Sequence, residues 1–359
     1  MKTKEGRDSM QTMKACVLHG VGDLRYEDVP VPALESGQVL VKVQAVGICG
    51  SDIPRVFKTG TYHFPTIPGH EFAGQVVKAY DKENEHLIGL RAAVFPLMPC
   101  RECNSCKVGS FELCENYDYI GSRRDGAFAE YVAVPAWNLA PIPDSLSYEA
   151  AAMTEPVAVA LHALRQAKIE IGDTVAIFGP GTIGTLVAQW AKAWGASKVM
   201  LIGIDDQSVE VAKQLGFKYC INSKKVDAIE WIGEITNGVM ADIAVDAVGS
   251  ALTFSNCLLC AAAGGKVIAI GNPNGDYTLQ KDIYWKLLRK QLKVFGTWNS
   301  GFDGSPHSDW AITIEAMANK SIHADKLITH RFKLSELMDG LTLMRDAREP
   351  YKKVMIVFD

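Results

Sequence analysis

The chain has no block of basic residues. Its 37 Lys and Arg stand against 41 Asp and Glu, for a net charge of −4. Nucleic acid is recognised through clustered cations, so it is excluded as the expected partner. No apolar run reaches the roughly 20 residues that cross a bilayer as a helix. The first twelve residues, MKTKEGRDSMQT, are polar and lack the apolar centre of a signal peptide. They read as a disordered leader, residues 1–12. Internal repeats and low-complexity tracts are missing too. What remains is an ordinary globular composition, 48% hydrophobic and 22% charged over 359 residues, enough for two domains.

The nine cysteines are an odd number, and with no signal peptide they point to a reducing, cytoplasmic setting. Four of them crowd together as C-x2-C-x2-C-x7-C: Cys100, Cys103, Cys106 and Cys114. Four thiolates so close in sequence can enclose one ion tetrahedrally, and Zn²⁺ suits four sulfurs. Such a closed site holds structure and leaves no position for chemistry. Cys257 and Cys260 also form a C-x2-C, but in an apolar, helix-like segment, and read as core packing.

Up to about residue 143 the pattern is strand-rich and punctuated by Gly and Pro. Residues 39–46 (VLVKVQAV) alternate as a half-buried strand does. Beyond residue 146 the texture changes. Short apolar runs at 174–178, 199–202, 219–221, 243–247, 267–270 and 292–295 are separated by helical stretches. That alternation predicts a doubly wound parallel sheet. The sixth run should lie at the sheet's edge, where an apolar strand invites a second subunit.

Gly179, Gly181 and Gly184 spell G-x-G-x-x-G, with Thr182 and Ile183 between the last two. The motif follows the strand-like TVAIF and opens a helical run, the context in which it cradles a pyrophosphate. The acidic residue that meets the ribose of NAD is expected at the end of the next strand. Gly203 occupies that slot, and Asp205 and Asp206 follow it. No Lys or Arg lies within residues 202–210 to receive a 2′-phosphate, and the acidic pair repels one, which favours NAD over NADP.

A second set of candidate ligands is scattered. Cys49 stands in G-I-C-G-S-D, His70 and Glu71 in G-H-E-F, and Glu155 in T-E-P. Cys, His and carboxylate suit a catalytic zinc with one open position, though no spacing brings them together. In this order, with the four-Cys lobe and G-P-G-T-I-G, these motifs resemble the zinc-dependent medium-chain dehydrogenase/reductases from about residue 14 to the C-terminus. Glu71 after His70, and Glu155 where alcohol dehydrogenases have Cys, resemble the polyol dehydrogenase branch. The segments DIPRVFK (52–58), YIGSRRDG (119–126) and LLRK (287–290) resemble its members that act on polyol phosphates.

The resemblance implies a GroES-like β-barrel catalytic domain (13–163 and 299–359, with a structural zinc lobe at about 97–117) and a Rossmann NAD(P)-binding domain (164–298). It implies catalysis in the cleft between them and two zinc ions per subunit. Cys49, His70 and Glu155 would ligate the catalytic zinc, with Glu71 a fourth or alternating ligand and Asp52 orienting His70. Pro54 stands near where some alcohol dehydrogenases place a relay histidine, so the proton exit is expected to use Ser51, ribose hydroxyls or water. Arg55, Lys58, Arg123 and Arg124 are the candidates for a substrate phosphate. The expected substrate is a small polyol or polyol phosphate, and the expected assembly a homodimer or homotetramer. Oxidation of an unphosphorylated polyol, of the sorbitol or iditol kind, or of arabitol phosphate stays open. A non-catalytic NAD(P)H-binding protein would be expected to have lost a ligand, and none is lost here.

Overall fold

The computed structural model describes residues 12–273 and 275–358. Most of the expected leader lies outside the described residues. Its last member, Thr12, already opens the first strand, Thr12–Gly20, where it pairs with Pro30. The described chain forms two compact units. One runs to Glu155 and resumes at Ile328; the other is Pro156–Leu327.

The first unit is built on a mixed sheet. Its strands run in the order Ile328–Phe332, Lys353–Val357, Gln38–Ile48, Glu71–Ala79, Arg91–Val94 and Leu139–Pro141, and Tyr131–Pro135 also pairs with Gln38–Ile48. The hairpin Thr12–Gly20/Asp23–Pro30 joins it through bridges at Ala15–Ala129 and Leu18–Thr66. Val39, Val41, Val43, Phe72, Val94, Phe128 and Ile356 fill the core between them. Residues 39–46 alternate in sequence, yet Gln38–Ile48 is buried almost throughout. Its second face is covered by the short helix Tyr148–Ala152, capped by Ser147, which packs on this strand and its neighbour.

The second unit carries the doubly wound sheet. The strand order is Tyr219–Asn222, Lys198–Gly203, Thr174–Phe178, Ala241–Asp246, Ala261–Ala269 and Lys293–Gly296, all parallel. Every residue of the central strand Thr174–Phe178 is buried, as a strand covered by helices on both faces requires. The strand order reverses beside it, which puts the glycine turn at the switch point. Cys257 and Cys260 lie in the buried face of the helix Ala251–Cys260.

The second unit extends further than 164–298. The helix Asp309–Ala318 belongs to it, because Asp309 is held by His162 (2.7 Å), Arg165 (2.7 Å) and the Gly301 N–H (2.6 Å). Gln189 accepts from the N–H of His323 at 2.7 Å, so the chain leaves this unit only after Leu327.

Candidate active site

The strand Gln38–Ile48 ends one residue before Cys49. Its partner Glu71–Ala79 is in register with Gly47 opposite Glu71, which lands His70 and Glu71 beside Cys49. The ligating atoms of Cys49, His70 and Glu71 all lie within 4.8 Å of one another. Close approach is built into the backbone: a Cβ at Gly47 would stand on the Glu71 carboxylate. Glu155 lies outside that trio. It opens the helix Thr154–Ala167, and Tyr119 donates to its Oε1 at 3.5 Å.

Asp52 is fully buried. Its Oδ2 accepts the N–H of Cys49 (2.9 Å), and its Oδ1 faces His70 Nδ1 (3.6 Å) and Arg55 Nη1 (3.2 Å). Burial opposes its charge, but the neighbouring His70 and Arg55 hold the carboxyl below its usual range. Burial likewise opposes protonation of His70, yet Asp52 and then Cys49 raise that pKa well above 6.5. Arg55 also donates to Ser51 Oγ at 3.0 Å, so its guanidinium is engaged inside this network.

The other edge of Gln38–Ile48 pairs with the last strand, Val354 opposite Ile48. This delivers Lys353, a buried lysine that the sequence reading missed. Its Nζ bonds Glu71 Oε2 at 2.5 Å and the Ile48 carbonyl at 3.2 Å. A lysine opening the otherwise apolar KVMIV strand was the available signal.

Two lysine or arginine ion pairs lie in this pocket, Asp52 with Arg55 and Glu71 with Lys353, while Cys49 and Glu155 enter none of the described ion pairs. Burial, then the charge of Glu71, pushes the Glu155 carboxyl up to about 7. The S, N and O donors gathered here are those Zn²⁺ takes. The residues therefore fit a zinc ion.

The four Sγ atoms of Cys100, Cys103, Cys106 and Cys114 also fall within 4.8 Å of one another. Backbone N–H groups point at the sulfurs, Cys100 N to Cys114 Sγ (3.2 Å) and Cys103 N to Cys100 Sγ (3.4 Å). The amides of Cys106 and then Glu115 lower the Cys103 thiol to about 6, which favours thiolate. The lobe closes on the strand pair Leu97–Met98/Asp118–Tyr119, so it leads directly to Tyr119, whose ring is 5.7 Å from that of His70.

The cationic candidates separate. Arg55 joins the Asp52 network, and Arg124 pairs with Asp118 at 2.7 Å. Arg123 lies between the rings of Tyr62 (4.2 Å) and Tyr117 (4.5 Å). Lys58 is exposed at the end of the turn Arg55–Thr59.

In the second unit, Gly179 has φ +92, and a Cβ at Gly184 would collide with the Gly179 carbonyl. A Cβ at Gly181 would meet nothing within 4 Å. Gly181 precedes the helix Thr182–Ala193, so its bare backbone faces open space at a helix N-terminus. That space fits a pyrophosphate. Asp205 caps the helix Asp206–Gln214 through the N–H of Ser208.

Two units of this kind, one with a Cys–His–carboxylate pocket and one with a dinucleotide turn, define a zinc-type dehydrogenase. Comparison with known proteins agrees. Residues 35–144 match the alcohol dehydrogenase GroES-like domain, and residues 182–319 the zinc-binding dehydrogenase domain. The chain is 31% identical to a sorbitol dehydrogenase of Bacillus subtilis, over 96% of this chain and 97% of that one. It is 32% identical to galactitol 1-phosphate 5-dehydrogenase of Escherichia coli, over 89% and 92%. The crystal structure of the Escherichia coli galactitol-1-phosphate dehydrogenase superposes with a TM-score of 0.90 at 30% identity, covering 96% of this chain and all of that one. The chain belongs to the zinc-binding alcohol dehydrogenase family, in its polyol dehydrogenase branch, and is an oxidoreductase of that class.

Proposed function

We propose that the protein oxidises a secondary hydroxyl of a polyol phosphate, of the galactitol 1-phosphate kind, to the ketose phosphate. The hydride passes to a nicotinamide dinucleotide and the proton to solvent. The observation that carries this reading is the Cys49, His70 and Glu71 cluster, whose S, N and O donors lie within 4.8 Å of one another, with the buried Glu155 pushed up by Glu71 beside it.

Cys49, His70 and Glu155 would hold the zinc, with Glu71 as an alternating ligand. A zinc ion there supplies a Lewis acid that makes a substrate hydroxyl easier to deprotonate. A nicotinamide dinucleotide held at Gly179, Gly181, Thr182, Ile183 and Gly184 supplies the hydride acceptor. The chain's own groups do the rest. Asp52 fixes the orientation of His70 through Nδ1. Ser51 accepts from Arg55, which leaves its own hydroxyl proton free to be donated onward, as a proton exit needs. Lys353 holds Glu71 by one oxygen and leaves the other to turn toward a metal.

Phosphate recognition is assigned first to Arg123. Its Nε is buried without a hydrogen-bond partner among the described residues, and its guanidinium plane is fixed by two tyrosines. Lys58 and Arg124 are secondary candidates. No disulfide joins the cysteines among the described residues, in keeping with a cytoplasmic enzyme. The edge strand Lys293–Gly296, with exposed Val294 and Trp298 near it, is the expected homodimer seam, with a homotetramer built on it.

A panel of galactitol 1-phosphate, arabitol phosphate, sorbitol and iditol, read by reduction of the nicotinamide, tests this. Galactitol 1-phosphate should give the highest kcat/KM, and Arg123→Ala should raise KM for phosphorylated substrates alone. No reduction with any polyol would overturn the reading.

A further inference from the structure

The second-unit turn also determines which dinucleotide fits, an inference that rests on the proposed binding of a dinucleotide there. In a doubly wound sheet the adenosine ribose lies over the carboxyl end of the second strand, here Lys198–Gly203. Gly203 offers no carboxylate for a ribose diol. A larger residue is also obstructed, since a Cβ would approach Ser208 Oγ to 2.7 Å and Pro180 Cγ to 3.1 Å.

The two carboxylates that favour NAD at the level of sequence are already occupied in the fold. Asp205 caps its helix, Oδ1 accepting from Ser208 N (2.7 Å) and Oδ2 from Ser208 Oγ (2.9 Å). Asp206 accepts from Asn222 Nδ2 (2.9 Å) and pairs with Lys225 Nζ (2.5 Å). The partners of Asp206 fall outside residues 202–210, since Asn222 ends the neighbouring strand and Lys225 lies in the turn after it. The strand Tyr219–Asn222 runs parallel with Asn222 opposite Gly203, and the residues after it emerge at the same end of the sheet. Ser223 is tied there, its N–H and hydroxyl both donating to the Gly203 carbonyl (2.8 and 3.0 Å). Lys224 and Lys225 follow.

We propose that this corner recognises the 2′-phosphate of NADP, with Lys225 as the cation that reads it. Gly203 places no carboxylate there to repel it. The Lys225–Asp206 pair is two-thirds exposed on both sides, with side chains 63% and 67% accessible. Such a pair contributes little and exchanges readily. A phosphate dianion is the better partner for the ammonium group, and Asn222 keeps its bond to Asp206 when Lys225 turns away.

The test is equilibrium binding of adenosine 2′,5′-bisphosphate and of 5′-AMP to the full-length protein, followed by calorimetry. The wild type should bind the bisphosphate at least about tenfold more tightly, the usual size of one charge-assisted contact. Lys225→Met should erase that difference and leave 5′-AMP affinity unchanged. Because Lys225 is exposed, the variant keeps its fold, which its melting curve verifies. Equal or tighter binding of 5′-AMP by the wild type would overturn the assignment, as would a Lys225→Met effect of equal size on both ligands. Failure of both nucleotides to bind would overturn the dinucleotide site itself together with this inference.

Discussion

Replacing Lys353 with Met leaves the Glu71 carboxylate without its cation inside the first unit. Both side chains of the pair are nearly sealed, 5% and 2% accessible, and the ammonium group also satisfies the Ile48 carbonyl. Removing one partner of a buried pair costs about 3–5 kcal/mol, since the remaining charge stays desolvated. For a unit of this size each kcal/mol moves the melting midpoint by about 2–4 °C. The expected shift of the corresponding transition is therefore roughly 6–20 °C, read by scanning calorimetry on chelator-treated protein. The double change Glu71→Gln/Lys353→Met removes the stranded charge and should recover most of that loss. Added Zn²⁺ should narrow the deficit of the single variant, because a metal beside Glu71 replaces the missing cation. A shift of under about 2 °C, or a double variant no more stable than the single one, would refute the reasoning.

Two further perturbations probe the second unit. The carboxyl of Asp309 is held below 3.8, because His162, the Gly301 N–H and Arg165 outweigh the effect of burial. Its contribution is complete above 3.8 and is lost as pH falls through the lower folded value. Urea midpoints should therefore fall more steeply with acid in the wild type than in Asp309→Asn, and equal slopes would contradict this. Gly181→Ala places a methyl group in open space, so the melting curve should not move while nucleotide affinity falls. An unchanged affinity would place the pyrophosphate elsewhere.

Much of this was legible in the sequence, for reasons that differ by residue. The four cysteines of the lobe lie within fifteen positions of one another, and local chain suffices to gather them. The parallel sheet announces itself because each strand is a short apolar run between helices. Cys49, His70 and Glu71 are named by their motifs, but only the register of Gly47 with Glu71 brings them together. Lys353 stood outside any reading, since it meets Glu71 across a sequence separation of 282 residues through a strand pairing that periodicity does not specify. The same limit concealed Lys225, which faces Asp206 from the turn after the next strand of the sheet. Arg55 looked like a free cation and proved to be a partner of Asp52 and Ser51, a local fold that its charge alone does not reveal.

The most direct test of the zinc-dehydrogenase account is metal content against turnover during mild chelation. The two clusters predict two zinc ions per chain, and they should leave separately. The pocket we propose holds the catalytic zinc, at Cys49, His70 and Glu155, should empty first and take turnover with it, while the closed four-cysteine site keeps its ion. Restoring one equivalent of Zn²⁺ should restore the rate. Turnover that survives the loss of the first zinc would contradict the account.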